Sequence, residues 1–307
     1  MTDALASARQ DNVGRGIVFA LIATVIFSTQ DATSKLLVQS ISPFQMTMMR
    51  FWAFGGFSIL LALRKGPIAG SLKTHYPALQ VLRGLLLVTD IWMFVLALRT
   101  VQLPEVQSIT LVYPLLVTLA AIPLLGERVG IFRLSAVVVG FLGALVIVRP
   151  GGVPLDWGVA FAIGSGACYA LYIVLTRKVS ATDSATTSML YIGLVGLVVT
   201  SAVGVFFWQP LDLRTTLLVG YIMVTGVVAH GLMILALSQA PASVLQPFNY
   251  TSLPWSIVLS VLIFQHMIDP VSLIGALVIV AAGLVVMARE RIRKIPAAGE
   301  GQLPGRE

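Results

Sequence analysis

Three charged side chains interrupt otherwise apolar stretches in the first third of the sequence: Asp31, Arg50 and Asp90. Charge held away from water is expensive, so such residues are retained for pairing, for solute contact or for carrying a proton. Asp31 and Arg50 lie about equally far from the turn at Gln39–Pro43, and helical rise puts both ~10 Å below that end of their hairpin. The expectation is an Asp31–Arg50 ion pair that locks the first two helices. Asp90 falls at a similar depth, so Asp31 and Asp90 read equally as structural groups or as solute- and proton-binding groups. Lys35, one turn beyond Asp31, pairs with it or snorkels outward, and Arg83 snorkels to the interface. Glu105 suits the start of a helix, and Glu127 and Arg128 close a helix end. His230 reads either as a hydrogen-bonded packing residue or as a proton relay. His75 and His266 share no metal-ligand spacing with it, so no metal site is expected.

A second set of polar and aromatic side chains surrounds two intramembrane prolines. Gln107, Ser108, Thr110 and Tyr113 accompany Pro114. Gln246, Phe248, Asn249, Tyr250, Thr251, Ser252 and Trp255 accompany Pro254. Proline frees backbone carbonyls, and free carbonyls survive at membrane depth only where protein or water satisfies them. These segments are therefore expected to line a cavity, with Trp92, Tyr169 and Tyr172 as walls. Aromatic faces with amide groups suit a small, partly planar organic solute. The competing reading is helix packing through small and polar residues.

The elements that must hold these residues follow from composition. The chain has 307 residues, 57% hydrophobic and 11% charged, against about 25% charged in soluble domains. A protein of this size cannot hide so much apolar surface from water, so the bilayer is its main solvent. About ten spans are legible: 16–38, 44–63, 77–98, 105–125 and 131–148, then 157–178, 187–207, 216–238, 242–264 and 270–288. They are continuously apolar rather than alternating, which favours helices over a barrel. No cleavable signal peptide is expected. Cys168, the single cysteine, excludes an internal disulfide.

The halves align by eye. Gly16 meets Gly158, Phe27 meets Tyr169, Pro114 meets Pro254 and Gly143 meets Gly283. Five helices per half is an odd number, so the second half enters from the opposite face. The expected fold is all-α integral membrane, with ten transmembrane helices in two inverted five-helix repeats. The domains are a tail (1–15), a first repeat (16–149), a second repeat (156–289) and a disordered tail (290–307). Thirteen Lys and Arg residues flank one side of these spans and four the other, which puts both termini in the cytoplasm of an inner-membrane protein. The net charge of +7 then reports orientation rather than nucleic-acid binding.

The chain resembles the drug/metabolite transporter superfamily in its ten-helix EamA-type branch. The resemblance is carried by Met49-Arg50-Phe51, Ala97-Leu98-Arg99, Tyr113-Pro114, the Leu125–Arg128 run, Gly140 to Gly143, Ala236-Leu237, Pro254 and the segment from Gly275 to Gly283. One departure stands out: the family's Gly-Glu after the ninth span reads Gln265-His266 here. The resemblance implies a secondary transporter of small metabolites working by alternating access. Its solutes would be amino acids and related compounds, or a vitamin such as riboflavin. Protons are a candidate coupling ion, no cofactor is implied, and a monomer or homodimer is expected. No phosphate-binding loop or hydrolase elbow is present, so no enzyme activity is expected. The alternatives are a membrane-embedded enzyme, or a channel-like or structural membrane protein without alternating access.

Overall fold

The structure is a computed structural model that describes residues 13–125, 131–148, 153, 156–179, 182–239 and 245–294. In the first half of the chain the helices are α1 (Val13–Leu37), α2 (Pro43–Leu63), α3 (Pro77–Ala97), α4 (Leu103–Thr110), α5 (Tyr113–Leu125) and α6 (Ile131–Ile147). In the second they are α7 (Trp157–Val179), α8 (Ala185–Gly204), α9 (Leu213–Gln239), α10 (Ser252–Phe264) and α11 (Pro270–Lys294). A 3₁₀ segment, Gln246–Thr251, leads into α10. No strand occurs among the described residues. Among the described residues seven helical stretches are long and apolar enough to cross a membrane, α4 and α5 counting together as one. Three shorter apolar helices, Leu134–Ile147, Phe248–Phe264 and Pro270–Val285, accompany them.

Helix ends follow local chemistry. Ser42 caps α2 by accepting the Phe44 N–H at 3.3 Å, with Pro43 just inside the start. The helix α11 runs through Lys294, so the first residues of the tail expected to be disordered are helical. The Arg289 guanidinium lies 3.8 Å from the centre of the Phe132 ring on α6, which helps to hold that extra turn. The remaining tail residues and Met1–Asn12 lie outside the described residues, as do Glu127 and Arg128.

The two halves pack helix against helix. The principal pairs are α1 with α9, α3 with α7, α2 with α8 and α6 with α11, followed by α5 with α7, α3 with α8, α2 with α9 and α1 with α10; α4 meets α10 over a smaller area. Two of these pairs are built on glycine. A Cβ on Gly55 would stand 3.2 Å from the Gly193 carbonyl oxygen, and one on Gly275 would stand 2.6 Å from that of Gly143. With no aqueous driving force between helices in lipid, close backbone contact of this kind supplies the packing energy. The outward faces stay apolar: on α6, Leu134, Val138, Leu142 and Leu145 form one exposed stripe.

Both proline-bearing spans are broken where the ring demands it. Pro114 has no N–H, and its ring collides with the carbonyl of Thr110, four residues earlier. The helix stops at Thr110 and restarts at Tyr113, so Pro114 occupies the first turn of α5 rather than the middle of a continuous span. Gly166 of α7 packs on the freed carbonyl, its ideal Cβ position 3.4 Å from Thr110 O. Pro254 likewise sits in the first turn of α10, behind the 3₁₀ segment.

Burial is uneven along the bundle. The largest apolar cluster joins Leu37, Met46, Leu98, Leu103, Ile147 and Ile279 with their neighbours, nearly all towards the end that carries the 38–42, 98–102 and 265–269 turns. That end is closed. Polar clasps reinforce it: the Gln45 amide exchanges bonds with Gln209 at 2.8 and 3.1 Å. The α10 helix ends there at Gln265, whose φ of 53° and ψ of 30° lie in the left-handed region. A side chain in that region costs about 1 kcal/mol that glycine avoids. Gln265→Gly is therefore expected to raise the thermal midpoint of the purified protein; an unchanged or lower midpoint would mean that the glutamine side chain earns its place by contacts of its own.

Candidate functional site

The charged residues expected from sequence meet below the closed end, but not as a contact ion pair. Arg50 Nη2 donates to Gln30 Oε1 at 3.2 Å, and Gln30 Nε2 donates to the Ile222 carbonyl of α9 at 2.7 Å. Consecutive helical residues point about 100° apart. The side chain of α1 that reaches Arg50 is therefore the Gln30 amide, and Asp31, one residue on, points aside. The guanidinium remains within electrostatic reach of both Asp31 and Asp90, and the two carboxylates feel each other. Asp90 Oδ1 accepts a bond from Ser165 Oγ of α7 at 2.6 Å. Asp31 takes no hydrogen bond from any described residue. Both carboxylates are half-buried. Arg50 also lines a small, partly open cavity of about 60 Å³, walled by Phe54, Ile91, Met223, Gly226 and His230 among others.

An aromatic wall continues from Asp90. Ser165, Tyr169 and Tyr172 share one face of α7 at spacings of four and three. Tyr169 and Tyr172 stack with ring centres 5.7 Å apart. Tyr113 of α5 meets Tyr169 edge-on at 4.8 Å, and Asn249 Nδ2 donates to the Tyr113 hydroxyl at 3.3 Å. Asp90 acts electrostatically on both Tyr169 and Tyr172. The break in the first half thus delivers Tyr113, and the 3₁₀ segment of the second half delivers Asn249, to one place. Gln107 ties the two breaks together by donating to Ser252 Oγ at 2.9 Å.

Other residues singled out from sequence fall elsewhere. The Thr110 hydroxyl is spent on the Val106 and Gln107 carbonyls of its own helix. Tyr250 is 5% exposed and belongs to the apolar cluster of the closed end. Trp255 is 39% exposed and shares its helical face with exposed Val258 and Leu262, so it stands on the outer surface of the bundle. Trp92 packs edge-on to Phe44 at 5.2 Å, its Nε1 buried without a partner among the described residues. The Gln246 side chain lies outside the described residues. His230 stands between Phe27 and Phe54, its Nδ1 2.7 Å from the Gly226 carbonyl. That contact fits packing, while its place in the Arg50 cavity keeps it at the site.

Two basic residues differ from expectation. Arg83 does not snorkel. It is 1% exposed, donates to the Ser188 carbonyl at 2.7 Å and stands 5.8 Å over the Tyr172 ring. The carbonyl and the ring on neighbouring helices compensate its burial locally. Lys35 neither snorkels nor pairs with Asp31: its Nζ donates to the Leu98 and Val101 carbonyls at 2.8 and 2.7 Å. Those groups lie just past the end of α3, where a cation suits the free carbonyls and the helix dipole. Nearby, Glu105 Oε1 lies 3.0 Å from His266 Nε2 and joins α4 to the turn after α10. Sequence reasoning missed Gln30, although a mid-span amide beside Asp31 was a signal. It also missed Ser165, for which there was none.

Apolar membrane-length helices around an interior charge cluster and aromatic wall define a multi-pass membrane protein. The chain belongs to the EamA-like transporter family, whose pattern matches it twice, at residues 14–149 and 156–288. It is similar to the riboflavin transporter of Rhizobium johnstonii, 24% identical over 282 residues that cover 91% of this chain and 93% of that one. It is also similar to the S-adenosylmethionine uptake transporter of Rickettsia bellii, 25% identical over 280 residues, 90% of this chain and 94% of that one. The riboflavin transporter of Vibrio cholerae is 29% identical over 226 residues, covering 72% and 75% of the two chains. A solved crystal structure shares the fold, with a TM-score of 0.63 at 18% identity over 91% of this chain and 98% of the other.

Proposed function

We propose that this chain is a secondary transporter that carries a small organic metabolite across the inner membrane by alternating access. Two inverted five-helix halves, residues 16–149 and 156–289, make ten crossings with both termini in the cytoplasm. The observation that carries this reading is the pattern of helix pairs. Exchanging the halves turns α1 with α9 into α7 with α3 and α5 with α7 into α10 with α1, and returns α2–α8 and α6–α11 to themselves. A pseudo-two-fold axis has that property, and it gives two conformers of similar energy that face opposite sides. The helix breaks obey the same exchange, since Pro114 and Pro254 each sit in the first turn after a break.

The solute site in this reading lies between the Asp31–Arg50–Asp90 cluster and the Tyr113–Tyr169–Tyr172 wall. The relatives named for riboflavin and S-adenosylmethionine move solutes with flat heterocycles, and a tyrosine wall suits a flat ring. Protons are the proposed coupling ion, and no cofactor is required. Asp90→Asn is expected to reduce proton-driven uptake into proteoliposomes at least about tenfold, the usual scale for losing a proton-carrying group. Unchanged uptake at every imposed pH gradient would remove Asp90 from the mechanism.

A further inference from the structure

We propose that Glu105 and His266 form a latch across the closed end of the bundle, and that protonation of His266 from the outer solution tightens it and holds that end shut. This rests on the transporter reading above, which makes the closed end the outer gate, and it gives that gate a regulator. The proton is sensed here and not carried.

The contact itself carries the inference. Glu105 Oε1 lies 3.0 Å from His266 Nε2 and joins α4 of the first half to the turn after α10 of the second. The Glu105 side chain is 7% exposed and that of His266 34%. Protons of the outer solution therefore reach the imidazole, while the carboxylate is held away from water. Glu105 Oε2 is buried with no hydrogen-bond partner among the described residues, so His266 alone serves this carboxylate there. A buried carboxylate with one hydrogen bond gains most when the donor is charged. Imidazole changes its charge between about pH 5 and 8, so the strength of the bond follows the outer pH.

The end of α10 is built to present His266. With Gln265 in the left-handed region, the Gln265 N–H donates to the Val261 carbonyl and the His266 N–H to the Ser260 carbonyl, each at 3.2 Å. This closure fixes the backbone from which His266 reaches α4. The other charges near Glu105 are engaged elsewhere. Lys35 of α1 acts on Glu105 electrostatically, yet its Nζ is bound to the Leu98 and Val101 carbonyls at 2.8 and 2.7 Å. Asp269, before α11, accepts the Ser272 N–H at 2.9 Å, and Asp156, before α7, accepts the Val159 N–H at 3.1 Å. Arg99, in the turn before α4, is exposed. The described parts of α6 and α10 bring no titratable group to this end, and Arg149 lies outside the described residues.

The test places a reporter thiol in the apolar cluster of the closed end, where Met46 is 0% exposed. Full-length protein carrying Cys168→Ser and Met46→Cys is purified and reacted with a charged maleimide. Each rate is divided by that of the same protein denatured in dodecyl sulfate, which cancels the chemistry of the thiol. The normalised rate is expected to fall at least about threefold between about pH 8 and about pH 5.5, as the bond becomes charge-assisted. His266→Gln and Glu105→Gln each abolish that fall. His266→Arg, charged at every pH, labels slowly throughout. A parent rate that ignores pH, or a fall that persists in His266→Gln or Glu105→Gln, overturns the latch and leaves the transporter reading intact. A thiol that reacts in none of the folded proteins at any pH marks an end that never opens, and overturns both. The parent profile can refute the latch even where no variant purifies.

Discussion

Arg50→Met is expected to abolish transport and to lower the stability of the purified protein by about 3 kcal/mol, the lower part of the range for removing one partner from a buried charge set. The lower part applies because Asp31 and Asp90 are half-buried rather than sealed. The variant leaves the half-buried Asp31 and Asp90 carboxylates without the cation that acts on both. It also strips the donor from Gln30 Oε1, whose amide joins α1 to α9. The double variant Arg50→Met with Asp31→Asn removes one negative charge along with the positive one. It is expected to regain much of the lost stability and none of the transport. Arg50→Lys keeps the charge but not the planar fork, so it falls between wild type and Arg50→Met. Denaturation in detergent measures the first part and proteoliposome uptake the second. Wild-type stability and uptake in Arg50→Met would show that the guanidinium neither organises nor serves the site.

Gly275→Val is expected to be the most damaging apolar substitution in the bundle. A Cβ there would sit 2.6 Å from the Gly143 carbonyl oxygen and 2.9 Å from Ile147 Cγ1. The nearer neighbour is backbone on a packed helix, which cannot rotate away as a side chain can. Relief requires α6 and α11 to separate, and overpacking of this severity costs about 3 kcal/mol or more. Gly56→Ala is the matched control. Nothing lies within 4 Å of its Cβ position, and alanine in a helix is favoured over glycine by about 1 kcal/mol. Membrane yield and thermal midpoint should separate the two variants clearly. A stable, monodisperse Gly275→Val protein would contradict the α6–α11 contact.

Much of this architecture was legible in the sequence because apolar length alone marks a span, and a proline deep within one marks where it fails, whereas Pro123, near the end of α5, is carried within the helix. The breaks before Pro114 and Pro254 follow from ring geometry, which needs no knowledge of neighbours. The site was legible in part. Asp31, Arg50, Asp90, Tyr113, Tyr169, Tyr172 and Asn249 do converge, because charge and aromatic faces have few other reasons to lie so deep. The errors concern direction. Whether Trp255 faces the interior depends on the rotation of a short helix, and one residue of register turns a side chain by about 100°. Lys35 and Arg83 found carbonyls on other helices, partners that no local pattern announces. The Asp31–Arg50 contact failed because an adjacent amide met the guanidinium first.

The lopsided placement of the large apolar cluster has a thermal consequence. For the bundle to face the other way, Leu37, Met46, Leu98, Leu103 and their neighbours must part and be wetted. Hydration of newly uncovered hydrocarbon raises heat capacity, and a step that demands it has an activation enthalpy that changes with temperature. A plot of log turnover against reciprocal temperature should therefore bend for the half-cycle that unseals this end, while the opposite half-cycle stays closer to a straight line.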